Sequence, residues 1–190
     1  MAAVPELMLG TLAGWASRGS DVGEMNTVEQ ASNIWQTFDS GDIYVDCEGD
    51  WFYQGNRITR EDILQFFYDH LQTSAENTYV IVWEQQQCAL RVDDTPFVIT
   101  RVDRRSTGGA TEEQFLLTLK HVPAPEVLSP DSLWVGKDHV LYARIRSGLF
   151  IARFSRPAYY QIAAWIQDDP ATGQFFLEAN GERHRIASQE

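Results

Sequence analysis

The chain has 190 residues, 44% of them apolar, and a formal net charge of −12. That composition sets a globular protein with one large or two small packed cores. The acidity excludes a duplex nucleic-acid binder and an anionic membrane surface as partners, because both repel an acidic body. The charge is uneven along the chain. Residues 1–76 carry thirteen carboxylates against Arg18, Arg57 and Arg60, whereas residues 139–167 carry Arg144, Arg146, Arg153 and Arg156 and no carboxylate. No run reaches the roughly 18 apolar residues of a membrane span. The mildly apolar Met8–Ala16 stretch is broken by Gly10 and Gly14 and has no basic residue before it, so no targeting segment is expected and a cytoplasmic location is. Cys47 and Cys88 lack metal-ligand spacing and suit a reducing compartment.

Residues 1–40 read as an N-terminal arm and helix. The arm is Gly- and Ala-rich to about residue 25, and Thr27 with Gln30 then forms a capping box ahead of the stripe Ala31, Ile34, Trp35 and Phe38. Residues 41–122 form a first α+β repeat domain. Asp42–Cys47 alternates as a half-buried strand, Glu48-Gly49-Asp50 turns, and Trp51-Phe52-Tyr53 returns. Thr59 caps a helix whose first turn holds Glu61 and Asp62 and whose stripe is Ile63, Phe66, Phe67 and Leu71. Strands follow at Tyr79–Trp83, Cys88–Val92, Phe97–Val102 and Gln114–Lys120. Three prolines in 122–131 mark a connector, because proline removes a backbone donor and fixes φ. Residues 123–190 form a second α+β repeat domain. Leu141–Ile145 and Leu149–Ile151 are strands, and Ser155 caps a helix bearing Tyr159, Ile162, Ala163 and Ile166. Gln174–Leu177 and Glu182–Ile186 form a hairpin about Asn180-Gly181, whose turn needs φ > 0 twice.

The two halves share a pattern. Trp51-Phe52-Tyr53 matches Leu149-Phe150-Ile151, Ile58-Thr59-Arg60 matches Phe154-Ser155-Arg156, and both helices precede a two-strand hairpin. The fold expected is α+β, a tandem duplication of a β-β-α-β-β unit with mostly antiparallel sheets. An arginine follows the cap both times, against the helix dipole, which asks for an anion beside it or for neutralisation by Glu61 or Asp62.

At these residues the chain resembles the bacterial domain-of-unknown-function family 1285. The resemblance is carried by Gly41-Asp42-Ile43, by Trp51 through Arg60, by Val92-Asp93-Asp94-Thr95-Pro96-Phe97, by Ile145-Arg146-Ser147-Gly148-Leu149 and by Ser155-Arg156-Pro157-Ala158-Tyr159-Tyr160. It covers about residues 41–166. The resemblance implies a duplicated core, a second half similar to pleckstrin-homology-like folds, and a nucleotide-type ligand held between the halves in a signalling role. The chain departs from the family pattern at Trp83-Glu84-Gln85-Gln86-Gln87 and over 104–140.

Catalytic motifs are absent from the residues themselves. The four histidines lie far apart, Gly108-Gly109 lacks the Lys-Ser/Thr of a phosphate loop, and Asp42 and Asp46 fall on one strand face as solvated carboxylates do. No enzyme, metal or cofactor is expected. Thirteen of the fifteen basic residues are Arg, whose planar fork grips carboxylate and phosphate. Two readings stay open for them. In one, Arg60, Arg101, Arg146 and Arg156, with Trp51 and Tyr159 as an aromatic floor, bind a small anion between the halves. In the other, arginines of the second half pair with acids of the first along a seam. A protein partner, drawn by the abundant aromatics and by free sheet edges, is the alternative to a small ligand.

Overall fold

Residues 42–188, apart from 75, 77 and 108–111, are described by the computed structural model; the arm and the helix expected from Thr27 lie outside them. The alternation at Asp42–Cys47 does form a strand, β1 (Ile43–Val45), with Ile43 and Val45 buried and Tyr44 part-exposed. It returns antiparallel as β2 (Trp51–Tyr53), and β2 pairs with a two-residue β3 (Asn56–Arg57) that a turn reading of Gln54-Gly55-Asn56 overlooks. Helix α1 (Glu61–Asp69) follows, then a meander of β4 (Leu71–Thr73), β5 (Tyr79–Trp83) and β6 (Gln86–Val92). Strand β6 runs parallel to β1 and completes a six-stranded sheet ordered β3-β2-β1-β6-β5-β4.

The second sheet begins with a long hairpin, β7 (Phe97–Thr107) and β8 (Glu112–Leu119), and adds β9 (Glu126–Val127), β10 (Trp134–Val135), β11 (Leu141–Ile145) and β12 (Phe150–Phe154). Helix α2 (Arg156–Ala163) leads to a separate three-stranded meander, β13 (Ile166–Asp169), β14 (Gln174–Ala179) and β15 (Glu182–Arg185). With the last strand, β16 (Ala187–Ser188), the seven-stranded order is β16-β10-β11-β12-β7-β8-β9. Among the described residues, ten strand pairings are antiparallel and three parallel, an α+β arrangement of mostly antiparallel sheets.

The chain changes sheet at Asp93–Pro96, not in the Pro-rich stretch. Strands β7 and β8 join the second sheet because β7 lies parallel along β12, with Phe97 opposite Ala152. The prolines of 122–131 interrupt pairing only at the β9 edge, where a missing donor is tolerated.

Apart from the short β3, the order strand, strand, helix, three-stranded meander recurs in the second half. Its closure differs. The first meander hydrogen-bonds to β1 through β6, whereas the corresponding place beside β11 is already held by β10, so the second meander stands as its own sheet.

Both described helices stop short of the last apolar residue of their expected stripe, α1 two residues before Leu71 and α2 three before Ile166. Leu71 and Ile166 sit four residues after buried Phe67 and Ile162, yet each belongs to the strand that follows. At α1 the backbone N–H of His70 donates to the Phe66 carbonyl, and its Nδ1 lies 2.7 Å from the same oxygen, ending the turn. Ser155 caps α2 by accepting the Ala158 N–H (3.4 Å). Thr59 does not cap α1; Arg60 holds that position without a side-chain cap bond.

One apolar core joins the two large sheets. Tyr68 of α1 lies 5.0 Å from the Phe97 ring, which meets Phe150 at 5.2 Å. The buried polar atoms here are satisfied in series: Trp51 Nε1 donates to the Tyr68 hydroxyl (2.9 Å), which donates to the Pro96 carbonyl (2.9 Å). Burying each such ring contributes about 1.5–3 kcal/mol.

Candidate ligand groove

Of the six residues nominated from sequence, five line neither of the two cavities described below. Trp51 is fully buried against Phe67 and Tyr68, so it is a core residue and not the floor of an open site. Arg60 is exposed and pairs with Asp62, two residues on, the local neutralisation that a cation at a helix start invites. Arg101 likewise pairs with Asp103 (2.6 Å) on the exposed face of β7. Arg156 opens α2 in solvent, without an ion pair among the described residues, and Tyr159 is 42% exposed against Tyr160. The stripe expected on α2 is shifted by one: Ala158 and Ile162 are the buried pair.

Arg146 is the nominated residue that lines a cavity. A groove of about 610 Å³ runs between β9 with its following turn and the end of β11. Glu126, Ser129 and Ser132 come from the first wall, and Arg144, Arg146 and Ser147 from the second. The first wall is anchored to the second: Ser132 Oγ donates to the Ser129 carbonyl (2.7 Å) and accepts the Arg144 N–H (3.3 Å). The β11–β12 turn passes through three successive left-handed residues, Arg146 (φ 49), Ser147 (φ 55) and Gly148 (φ 88). For the two that are not glycine this costs about 1–2 kcal/mol each. Contacts of the Arg146 side chain offset it.

Those contacts span the two sheets. Arg146 Nη1 donates to the Tyr68 carbonyl (2.9 Å) in the last turn of α1. Helix ends leave carbonyls without partners, and this one has no basic residue of its own in its last turn, so a cation from the opposite sheet supplies both the hydrogen bond and the favourable charge. The guanidinium also lies 4.9 Å from the Phe97 ring centre and 5.7 Å from that of Phe150. Glu126 takes the Arg146 backbone N–H (3.3 Å), and its second oxygen is 3.8 Å from Nε.

Arg144 is different. It is exposed on the groove wall, 5.6 Å from the Trp134 ring, and has no carboxylate partner among the described residues. The groove is therefore lined by two arginines and one glutamate, with Ser129, Ser132 and Ser147 beside them. That is donor chemistry suited to an oxyanion.

Other second-half cations serve the seam. Arg153 Nη1 donates to Asp94 (3.1 Å) on the crossover between the sheets, and the Tyr142 hydroxyl donates to the same oxygen (2.9 Å). Burial and the Asp94 carboxylate together push the Tyr142 hydroxyl up to about 12. On the other side, Asp50 in the β1–β2 turn meets Lys120 and Arg57 at 2.6 Å each. Burial pushes its carboxyl up, but the hydrogen bonds from Lys120 and Arg57 outweigh that and leave it below the usual carboxylate range. Gly49 lets this turn approach β7: with φ +76, a Cβ there would stand 2.7 Å from Val98 Cγ2.

Sequence reasoning nominated Arg146 and marked Arg144 only as one of the arginines in a stretch free of acids. It missed Glu126, Ser129 and Ser132, which lie in the segment read as a connector; the Ser-Pro-Asp-Ser turn was the available signal.

Residues 15–95 match the family model described as the N-terminal domain of a domain of unknown function, DUF1285. Its end falls at the crossover where the chain changes sheet. The fold is similar to that of a DUF1285 family protein from Silicibacter pomeroyi DSS-3, with a TM-score of 0.64 at 21% identity over 84% of this chain and 93% of that one. A second DUF1285 family structure, from Shewanella baltica OS155, matches with a TM-score of 0.49 at 17% identity over 65% of this chain and 91% of that one. No curated protein matches the chain.

Proposed function

We propose that this chain, whose residues 15–95 match the DUF1285 N-terminal domain, is a binding module that takes a small oxyanion, nucleotide-like in class, in the groove of Arg144 and Arg146. The carrying observation is Arg144, a guanidinium without an acid partner among the described residues, set on a groove wall beside a second guanidinium already locked in place. The groove's size falls within the range of small-molecule sites, about 300–1,000 Å³. Binding without catalysis is the reading: guanidinium does not exchange protons near neutral pH, and the one groove carboxylate is engaged by Arg146. A bacterial cytoplasmic signalling role fits such a sensor. No helix of the described residues is long and apolar enough to cross a membrane.

Calorimetry with inorganic phosphate and a panel of nucleoside mono- and diphosphates tests this. Saturable heat should fall about tenfold or more in affinity in Arg144→Ala, the loss expected for one charge-assisted contact. Absence of heat across the panel, or equal affinity in the variant, sinks the reading.

A second reading, a protein-interaction scaffold, is favoured by the exposed pair Tyr159 and Tyr160 (72% exposed) beside Arg156 on α2. Photo-crosslinking from position 160 should then yield one defined protein adduct that Tyr159→Ala abolishes. A smear of adducts unaffected by that substitution contradicts it.

A further inference from the structure

We infer that the cleft between the β7–β8 hairpin and the β13–β14 meander is a separate binding site for a neutral polyhydroxylated ring, the chemistry of an uncharged sugar. The cleft encloses about 560 Å³ and is lined by Arg104 and Glu113 of the hairpin, Trp165 at the end of α2, and Gln167, Glu178 and Asn180 of the meander. None of these residues lines the arginine groove.

Its walls are tied to each other. The Glu113 N–H donates to Asn180 Oδ1 (2.6 Å), which joins the hairpin to the Asn180-Gly181 turn. Trp165 is half-buried and held edge-to-face by Phe115, with ring centres 5.4 Å apart, so it is a fixed aromatic surface. Gln167 Nε2 donates to Glu178 Oε2 (3.3 Å), which orients both side chains.

The hydrogen-bonding capacity left over is mixed. Among the described residues, Asn180 Nδ2 and Trp165 Nε1 are donors without a protein partner, and Gln167 Oε1 and Glu178 Oε1 are acceptors without one. A hydroxyl both donates and accepts, so adjacent hydroxyls on a ring match such an alternation, while the ring's C–H face suits an indole.

Charge rules out the ligand of the other groove. Arg104 is already paired with Glu113, and Glu178 remains as a carboxylate, so an anion meets net repulsion here. The site thus selects by shape and hydroxyl pattern, and the arginine groove by charge.

The test is ligand-observed NMR, then calorimetry, on the full chain with uncharged mono- and disaccharides, with glucosamine as the cationic arm and glucose 6-phosphate as the anionic arm. At least one uncharged sugar should bind saturably, and glucose 6-phosphate should not gain affinity at this cleft. Glu178→Gln, on an exposed strand position, should weaken binding about threefold to tenfold with an unchanged melting temperature. Trp165→Ala should abolish binding; should that variant fail to fold, Glu178→Gln and Asn180→Ala decide alone. No saturable binding of any uncharged sugar, a preference for glucosamine over every neutral probe, or full affinity in both Glu178→Gln and Asn180→Ala overturns the inference.

Discussion

Replacing Arg146 by alanine should destabilise the protein by about 2–3 kcal/mol. The substitution removes the hydrogen bond to the Tyr68 carbonyl and leaves a part-buried acceptor unpaired, about 1–3 kcal/mol. It also strips a cation from the faces of Phe97 and Phe150, about 0.5–1 kcal/mol for each contact at partial exposure. The pair with Glu126, at 3.8 Å and about a quarter exposed on each side, adds a fraction of a kcal/mol. Against these losses, freeing a long side chain returns about 1.5–2 kcal/mol of rotamer entropy. Left-handed strain is not relieved, because alanine at φ 49 meets the same Cβ clash. At roughly 2–4 °C per kcal/mol for a chain of this size, the melting temperature should fall by about 4–12 °C. Urea unfolding followed by tryptophan fluorescence measures it. Arg146→Lys should recover only part of the loss, since an ammonium reaches the carbonyl but does not lie flat on two rings. Arg144→Ala should stay within about 0.5 kcal/mol. A loss below about 0.5 kcal/mol for Arg146→Ala, or an equal loss at Arg144, would refute the argument that Arg146 joins the two sheets.

Gly49→Ala should cost about 2–4 kcal/mol by chemical denaturation, from left-handed backbone and the Val98 overlap together. Val98→Ala in the same chain should rescue the overlap but not the backbone cost, giving a non-additive double-mutant cycle. The Asp50 carboxyl is lowered in the folded state, so its contribution is full above the ordinary carboxylate range and fades as pH falls through the lower folded value. Asp50→Asn should therefore flatten the acid limb of the stability–pH curve and cost about 1–3 kcal/mol at neutral pH. Tyr142 carries the opposite sign. Its raised value keeps the stabilisation intact below the ordinary tyrosine range, and the stabilisation is lost as pH climbs through about 12. Ultraviolet titration of tyrosinate should lose its step near pH 12 in Tyr142→Phe, while the still later titration of the buried Tyr68 hydroxyl persists.

The strands were legible where one face is buried and the other wet. Ile43 and Val45 alternate cleanly with Tyr44, and Tyr79–Trp83 has the limits read from its β-branched and aromatic run. Helix ends were not, because Leu71 and Ile166 keep the helical interval after the backbone has turned into a strand. The division between sheets also escaped. A parallel pairing such as Phe97 with Ala152 joins residues 55 apart in the chain and leaves no local trace. The acid-free stretch with Arg144 and Arg146 marked one groove wall, but strand alternation does not explain it, because Arg146 lies one residue past β11 in the left-handed turn. The other wall could not be read, because Glu126, Ser129 and Ser132 reach it only through tertiary folding of a segment whose prolines announce nothing beyond a break. Trp51 misled for a simple reason: an aromatic on a short strand serves a core or a site equally well until its neighbours are known.

Arginine side-chain NMR, following the Nε–Hε signals during titration with inorganic phosphate and a nucleoside monophosphate, puts the arginine groove to its most direct trial. Arg144 and Arg146 should shift together along one saturable curve, while Arg60 and Arg101, held by Asp62 and Asp103 on exposed surfaces, stay in place. Signals of Arg144 and Arg146 that do not move, or that drift linearly in step with every exposed arginine, would contradict the account.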